Sequence, residues 1–293
     1  MTPTPAADRS RAAEAPPRVR GPVPPARPAA CAAGLLLLAA VAEPAAAQDS
    51  DLLRQMLDTL NFDAVAEGWE VTLGAGASVA PEYEGADDLA FRPAPVVEIE
   101  WRDRAFLNVQ RGLGVHLLDG PQWRLGTSLG FAPGRDEDDS DRLTGLGDVD
   151  PAAQAQLFGA WRVGRLGLSL DLKQDLGGSD GTLIEPGLSY VQPLARGLTL
   201  AAGGSAPRAG DAHMQAYFGV SGAQSRRSGL APFSAGAGFK RVDATLAVNW
   251  AFAETWSARA FVGVGRLLGD AADSPVTQEA TQPSAGLFLA HAF

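Results

Sequence analysis

The chain has 293 residues, with 34 acidic side chains against 24 Lys and Arg, and its net charge of −10 excludes the basic surplus that nucleic-acid binding needs. Its one cysteine rules out an internal disulfide and a thiolate-rich metal site. No apolar run approaches the roughly 18 residues of a membrane-spanning helix, so any insertion into a bilayer has to use strands.

In chain order, Arg9, Arg11, Arg18, Arg20 and Arg27 come first, scattered among Ala and Pro. A short apolar block from Ala29 to Ala42 follows, then Ala45, Ala46 and Ala47. This is the charged, apolar and small-residue order of a secretory signal, so residues 1–47 are predicted to be removed before Gln48. Cys31 leaves with them, and the remaining chain carries a net charge of −12. Within the next segment, 48–67, Leu53, Met56, Leu57 and Leu60 recur at helical spacing over Asp51 to Phe62. That predicts one short N-terminal helix, placed in the periplasm or as a plug in a lumen.

From Trp69 the apolar period drops to two, and residues 68–293 are predicted to be a barrel. The clearest strand is Arg241 to Phe252, where Val242, Ala244, Leu246, Val248, Trp250 and Phe252 oppose a polar or small set. Twelve candidate strands follow this pattern, including Phe106 to Leu117, His213 to Val220 and a closing strand from Ala285 to Phe293. A soluble sandwich would need large apolar groups on its second face, whereas here that face is Gly, Ser, Thr, Gln and charge. The fold class is therefore all-β: a closed antiparallel transmembrane β-barrel of ten to twelve strands with a short N-terminal helix. Trp69, Trp101, Trp123, Trp161, Trp250 and Trp256 all fall near strand ends on the apolar face, the place for an aromatic girdle at the membrane–water interface. Phe293 ends the chain as the aromatic expected to be read by the barrel assembly machinery. Two features resist this scheme. Arg111 shares an apolar face with Val109 and Leu113, and twelve strands place the long 132–152 connection on the periplasmic side with the short turns.

By alternation Glu70, Glu98, Glu100, Asp171, Glu185 and Asp243 point inward together with Arg124, Arg162, Arg165, Lys173, Arg241 and Arg259. A selective pore shows one sign at its constriction, whereas six acids matched by six bases are expected to pair across a narrow lumen and close it. Other candidate chemistry has a plainer reading. His213 has Asp211, Ser205 and Ser221 nearby, but no serine sits in a nucleophile signature, so no catalytic residue is assigned. His116 reads as a lumen-lining residue. The acidic run Asp136, Glu137, Asp138, Asp139 and Asp141 lacks the ligand spacing of a calcium loop and reads as a solvated loop. Gly263, Gly265 and Gly269 lack the Lys-Ser/Thr of a phosphate loop. No cofactor or metal is expected.

Three stretches carry more information than the alternation: PEYEGADD at 81–88, YFGVSGAQSRRSGLAPFSAGAGFK at 217–240 and GRLLGDAADSPVTQ at 265–278. With the aromatic closing strand they make the chain resemble the MipA/OmpV family of outer-membrane proteins over roughly Gly68 to Phe293. His291 departs from the aromatic that the family commonly carries there. The resemblance implies outer-membrane localisation, contact with outer-membrane lipid and lipopolysaccharide, and a structural role, since the best-known member is a scaffold between a murein hydrolase and a murein synthase. It supplies no catalytic residues. A small diffusion channel is the alternative, and an outer-membrane lipid-modifying enzyme the third reading.

Overall fold

The computed structural model describes residues 68–293, so the predicted signal and the Asp51 to Phe62 helix lie outside the described residues. In chain order the elements are β1 (Trp69–Pro81), β2 (Leu89–Trp101), β3 (Ala105–Asn108), β4 (Gly112–Asp119), β5 (Trp123–Ala132), β6 (Ala152–Val163), β7 (Leu166–Asp175), β8 (Thr182–Ala195), β9 (Leu198–Ser205) and β10 (Arg208–Ala209). After them come α1 (Asp211–Phe218), α2 (Gly222–Ser228), β11 (Gly238–Phe239), β12 (Arg241–Ala251), β13 (Trp256–Leu267), α3 (Gly269–Asp273) and β14 (Thr281–Ala292). Twelve strands make a closed antiparallel wall: β1 to β9 pair in sequence, β9 pairs with β12, β12 to β14 follow, and β14 closes on β1 through Thr72 opposite Ala292. Closure removes the sheet edges that hydrocarbon would leave unpaired, except beside the short β3–β4 hairpin, where β2 pairs with β3 only over Glu98–Trp101. The two-residue β10 and β11 extend this wall beside β8.

Two errors in the expected strand set cancel in the count. Phe106 to Leu117 is a hairpin, because the Asn108 side chain accepts from the Arg111 amide at 2.8 Å and Gly112 takes φ +70°, which together reverse the chain. Arg111 therefore belongs to the turn and points inward, which resolves its anomaly. His213 to Val220 is not a strand: α1 occupies Asp211–Phe218, with Met214 and Phe218 buried one helical turn apart. With these corrections the parity problem disappears. The turns 102–104, 120–122, 164–165, 196–197 and 252–255 share one end with both termini of the barrel, while the 133–151 connection joins the long loops on the other side, toward which the short 109–111 turn also points.

Outward side chains are Leu, Val, Phe and Trp along every long strand, and they stay exposed to their surroundings. All six tryptophans lie outward at the short-turn end, within two residues of the turn-side ends of β1, β2, β5, β6, β12 and β13. Trp69 packs on Trp101 across the register at 6.3 Å between ring centroids. At the seam the His291 imidazole stands between the rings of Trp256 and Phe293, at 4.8 and 4.5 Å, and so occupies an aromatic slot. The Phe293 amide donates to Val71 at 2.9 Å.

Candidate functional site

The barrel interior is built in three layers. Nearest the short turns lies an aromatic layer: Phe106 and Phe158 meet edge to face at 5.8 Å, and Phe261 stacks with Phe288 at 6.3 Å. Inward glycines make room for these rings. A Cβ on Gly114 would come within 2.2 Å of Phe106, and one on Gly126 within 2.2 Å of Phe158. Arg111 lies over Phe158 at 4.1 Å and Arg259 over Phe261 at 5.8 Å, so the aromatic faces also carry guanidinium groups.

Toward the long loops the lining becomes charged. Arg111 pairs with Asp171, which is 1 % exposed, and Lys173 with Glu185 at 2.7 Å. Arg241 reaches Asp243 at 2.7 Å and Glu84 at 3.5 Å, while Lys240 donates to Glu84 at 2.8 Å. Beside them runs a polar ladder in which Gln156 donates to Gln154 and Gln154 to Asp175. Of the twelve charges expected in the lumen, Lys173 with Glu185 and Arg241 with Asp243 form pairs inside the set. Asp171 instead takes Arg111, and Arg124 takes Asp119 at 2.7 Å. Glu70, Arg162 and Arg165 are exposed at the short-turn rim, where Glu70 stands opposite Glu100 and Arg162 opposite Gly167 on the inward face, while Arg165 lies in the β6–β7 turn bonded to Gln192. Glu98, Glu100 and Arg259 keep inward positions on β2 and β13, and Arg259 is buried.

Above the charged layer the long loops fold together into a cap with its own apolar core. Tyr83, Ala86, Leu143, Leu146, Val220 and Val276 form one cluster, while Met214, Phe218, Leu267 and Ala271 belong to a second. Polar contacts stitch the loops to one another. The Tyr83 hydroxyl lies 3.0 Å from the Val276 carbonyl and 2.7 Å from Gln278, Ser274 donates to the Phe218 carbonyl at 2.6 Å, and Arg142 bonds the Pro275 carbonyl. The acidic run is a largely exposed loop that also shapes itself: Asp136 makes a capping box with Asp139, and Glu137 accepts from the amides of Gly145 and Gly147 at 2.9 and 2.8 Å. Among the described residues no group of His, Cys, Asp and Glu could hold a metal ion.

The residues weighed for a catalytic triad serve separate ends. Ser205 is within 3.3 Å of Asp243, Ser221 caps α2 in a capping box with Gln224, and Asp211 accepts from the Ala237 amide. His213 instead lies beside Lys240 at 3.4 Å and against the Tyr217 ring at 4.5 Å. Its burial and the neighbouring Lys240 cation, opposed by Glu84, push it down to about 3, so it is a neutral base. Burial works against the charge of Glu84, yet Lys240 and Arg241 hold its carboxyl down at about 2.

Both shifts destabilise the cap in acid. The folded value of His213 lies below the ordinary 6.5, so its contribution is complete above that pH and is lost as pH falls toward about 3. Glu84 contributes fully above 4.5 and loses that contribution as pH falls toward about 2. Amide exchange over 211–218 and 82–88 is therefore expected to speed up, relative to chemical exchange, as pH drops from 7 to 4. Protection unchanged across that range would contradict this assignment.

Glu84 and Lys240 escaped the sequence reading because both stand in connections, where alternation says nothing of side-chain direction. The signal that marked them was the set of three distinctive stretches. Tyr83 and Glu84 come from 81–88, Lys240 closes 217–240, and Val276 and Gln278 lie in 265–278, so the three meet in one place.

No curated protein matches the chain. Solved structures similar to it include the translocator domain of the autotransporter NalP from Neisseria meningitidis, with 15% identity, 85% of this chain and 97% of that one covered and a TM-score of 0.40. The KdgM porin shows 8% identity, coverage of 76% and 99% and a TM-score of 0.39. For the channel DcaP of Acinetobacter baumannii the corresponding values are 8%, 80%, 100% and 0.37. The model of the MltA-interacting protein MipA family matches residues 73–293, the wall from within β1 onward together with every loop of the cap, and the chain is an outer-membrane β-barrel that belongs to this family.

Proposed function

We propose that this chain is a non-conducting barrel that serves the cell envelope as a scaffold. The observation that carries this reading is the buried Lys240–Glu84–Arg241–Asp243 network lying under a packed cap. Charges matched in pairs leave no single-sign constriction for ions to follow, and an apolar loop core stands over the mouth. A barrel closed in this way has its rims left for function. The short-turn rim exposes Arg102, Arg104, Arg162, Arg165 and Arg196. The partner in view is a murein hydrolase of the kind recorded in the family's name, together with a murein synthase. The purified protein in planar bilayers should give little steady conductance, and tagged protein captured from crosslinked envelopes should bring down murein enzymes. Large, stable, ion-selective steps would replace the scaffold with a diffusion channel.

The same reading includes export by residues 1–47, removal of that signal before Gln48 and recognition of Phe293 by the barrel assembly machinery. Deleting Phe293 removes the amide that bonds Val71 and the ring beside His291. Outer-membrane levels should fall, with unprocessed or soluble forms rising. Unchanged levels would remove Phe293 from this role.

A further inference from the structure

The barrel wall is not equally tall all round. β3 ends at Asn108 and β4 begins at Gly112, so their hairpin turns back well short of the loop end, whereas β1, β2, β5 and β6 continue past it. As a result β2 pairs with β3 only from Glu98 to Trp101, and no strand among the described residues pairs with its free side from Leu89 to Val97. Across the gap, β4 pairs with β5 no further than Leu113 opposite Leu129. The sequence is adapted to this edge. Pro93 and Pro95 sit opposite Ala77 and Ala75 of β1, and a proline nitrogen without hydrogen is tolerated in a ladder only where it faces away from the partner strand. Two residues apart, both nitrogens turn to the open side and remove donors that hydrocarbon could not satisfy.

The apolar outer surface continues alongside the gap. Leu89 and Phe91 on β2, Leu113 on β4 and Leu129 and Phe131 on β5 all face outward, and Phe91 is 70 % exposed. Behind the gap lies the charged layer, with Arg111 at its floor and the Gln154–Gln156 ladder on the far side of β5. A notch of this kind joins hydrocarbon on the outside to polar groups within. Long loops of such barrels face outward, so the notch opens into the outer leaflet, whose lipid is lipopolysaccharide.

We propose that the notch between β2 and β5 is a lateral portal in which an acyl chain of lipopolysaccharide lies, its polar end directed to the charged layer. This rests on the outer-membrane placement and goes beyond the scaffold reading. The test places a photo-crosslinking amino acid, one at a time, at inward-facing Ala94 and Val96 behind the notch, at Ala201 on the inner face of β9, and at outward-facing Leu287, in cells making the full chain. Leu287 should gain a lipid adduct as evidence of membrane insertion. Ala94 and Val96 should gain an adduct with the gel shift and mass of lipopolysaccharide, and Ala201 should not. If Leu287 is labelled while Ala94 and Val96 stay bare, take phospholipid instead, or crosslink within the chain to residues 48–67, the portal is overturned and the outer-membrane reading stands. Absence of any lipid adduct at Leu287 would overturn both.

Discussion

Lys240→Ala is expected to release the cap and open the loop end of the barrel. Lys240 is 3 % exposed and Glu84 7 %, so the variant strips a buried carboxylate of its nearest cation and leaves it to Arg241 at 3.5 Å. Breaking a buried pair by removing one partner costs about 3 to 5 kcal/mol, and the residual Arg241 contact places this variant toward the lower figure. The loss falls on the contacts joining the β1–β2, β9–β12 and β13–β14 loops, so it should appear there rather than in the wall. Hydrogen exchange should rise over 82–88 and 211–240 while β6 and β7 keep their protection. In planar bilayers the variant should conduct, with cation preference from the uncompensated Glu84. Glu84→Gln in the same background removes that charge and should restore much of the closure. A Lys240→Ala barrel with wild-type exchange and no conductance would show that the network does not hold the cap.

The second large effect is expected in the wall. Arg111→Ala removes the cation facing Asp171, whose side chain is 2 % exposed, and also the guanidinium packed over Phe158. The same 3 to 5 kcal/mol applies, with about 0.5 to 2 kcal/mol more for the lost cation–π contact. The heat-induced gel shift of the folded barrel should move to a markedly lower temperature. Arg111→Gln combined with Asp171→Asn replaces both charges and should recover most of the loss, since a neutral pair has no stranded ion. If the double variant is as unstable as the single one, the ion pair is not the source of the stability.

Strand identity was legible where lipid and lumen enforce alternation, as along β7 and β12. It failed at two places for physical reasons. From His213 to Val220, Met214, Ala216, Phe218 and Val220 alternate with His213, Gln215, Tyr217 and Gly219, so a strand period coexists with a helical pair in α1, Met214 and Phe218, that the cap core selects. In β3 and β4 the apolar alternation runs across the turn, and the break lay in Asn108 and Gly112, residues whose turn chemistry carries no hydrophobic signal. Arg111 was the visible symptom: a cation on an apolar face meant that the face was misread. The inward placement of Asp171, Lys173, Glu185, Arg241 and Asp243 followed from period two, but their partners did not. Pairing depends on which loop residues descend into the mouth, and Glu84 and Lys240 come from connections.

The cap joins residues far apart along the chain: Glu84 meets Lys240 across 156 positions, and Tyr83 reaches Val276 across 193. Each of these contacts bridges the first loop and the last two, so none can form until β14 has reached β1. Sealing is thus expected to come after the wall has closed, so that a barrel whose closing strand has not docked should keep an open, charged mouth. Such contacts carry a high loop-closure cost and form late. Protection of Tyr83 and Glu84 from solvent should therefore act as a chemical timestamp that separates a completed barrel from one whose wall is still open.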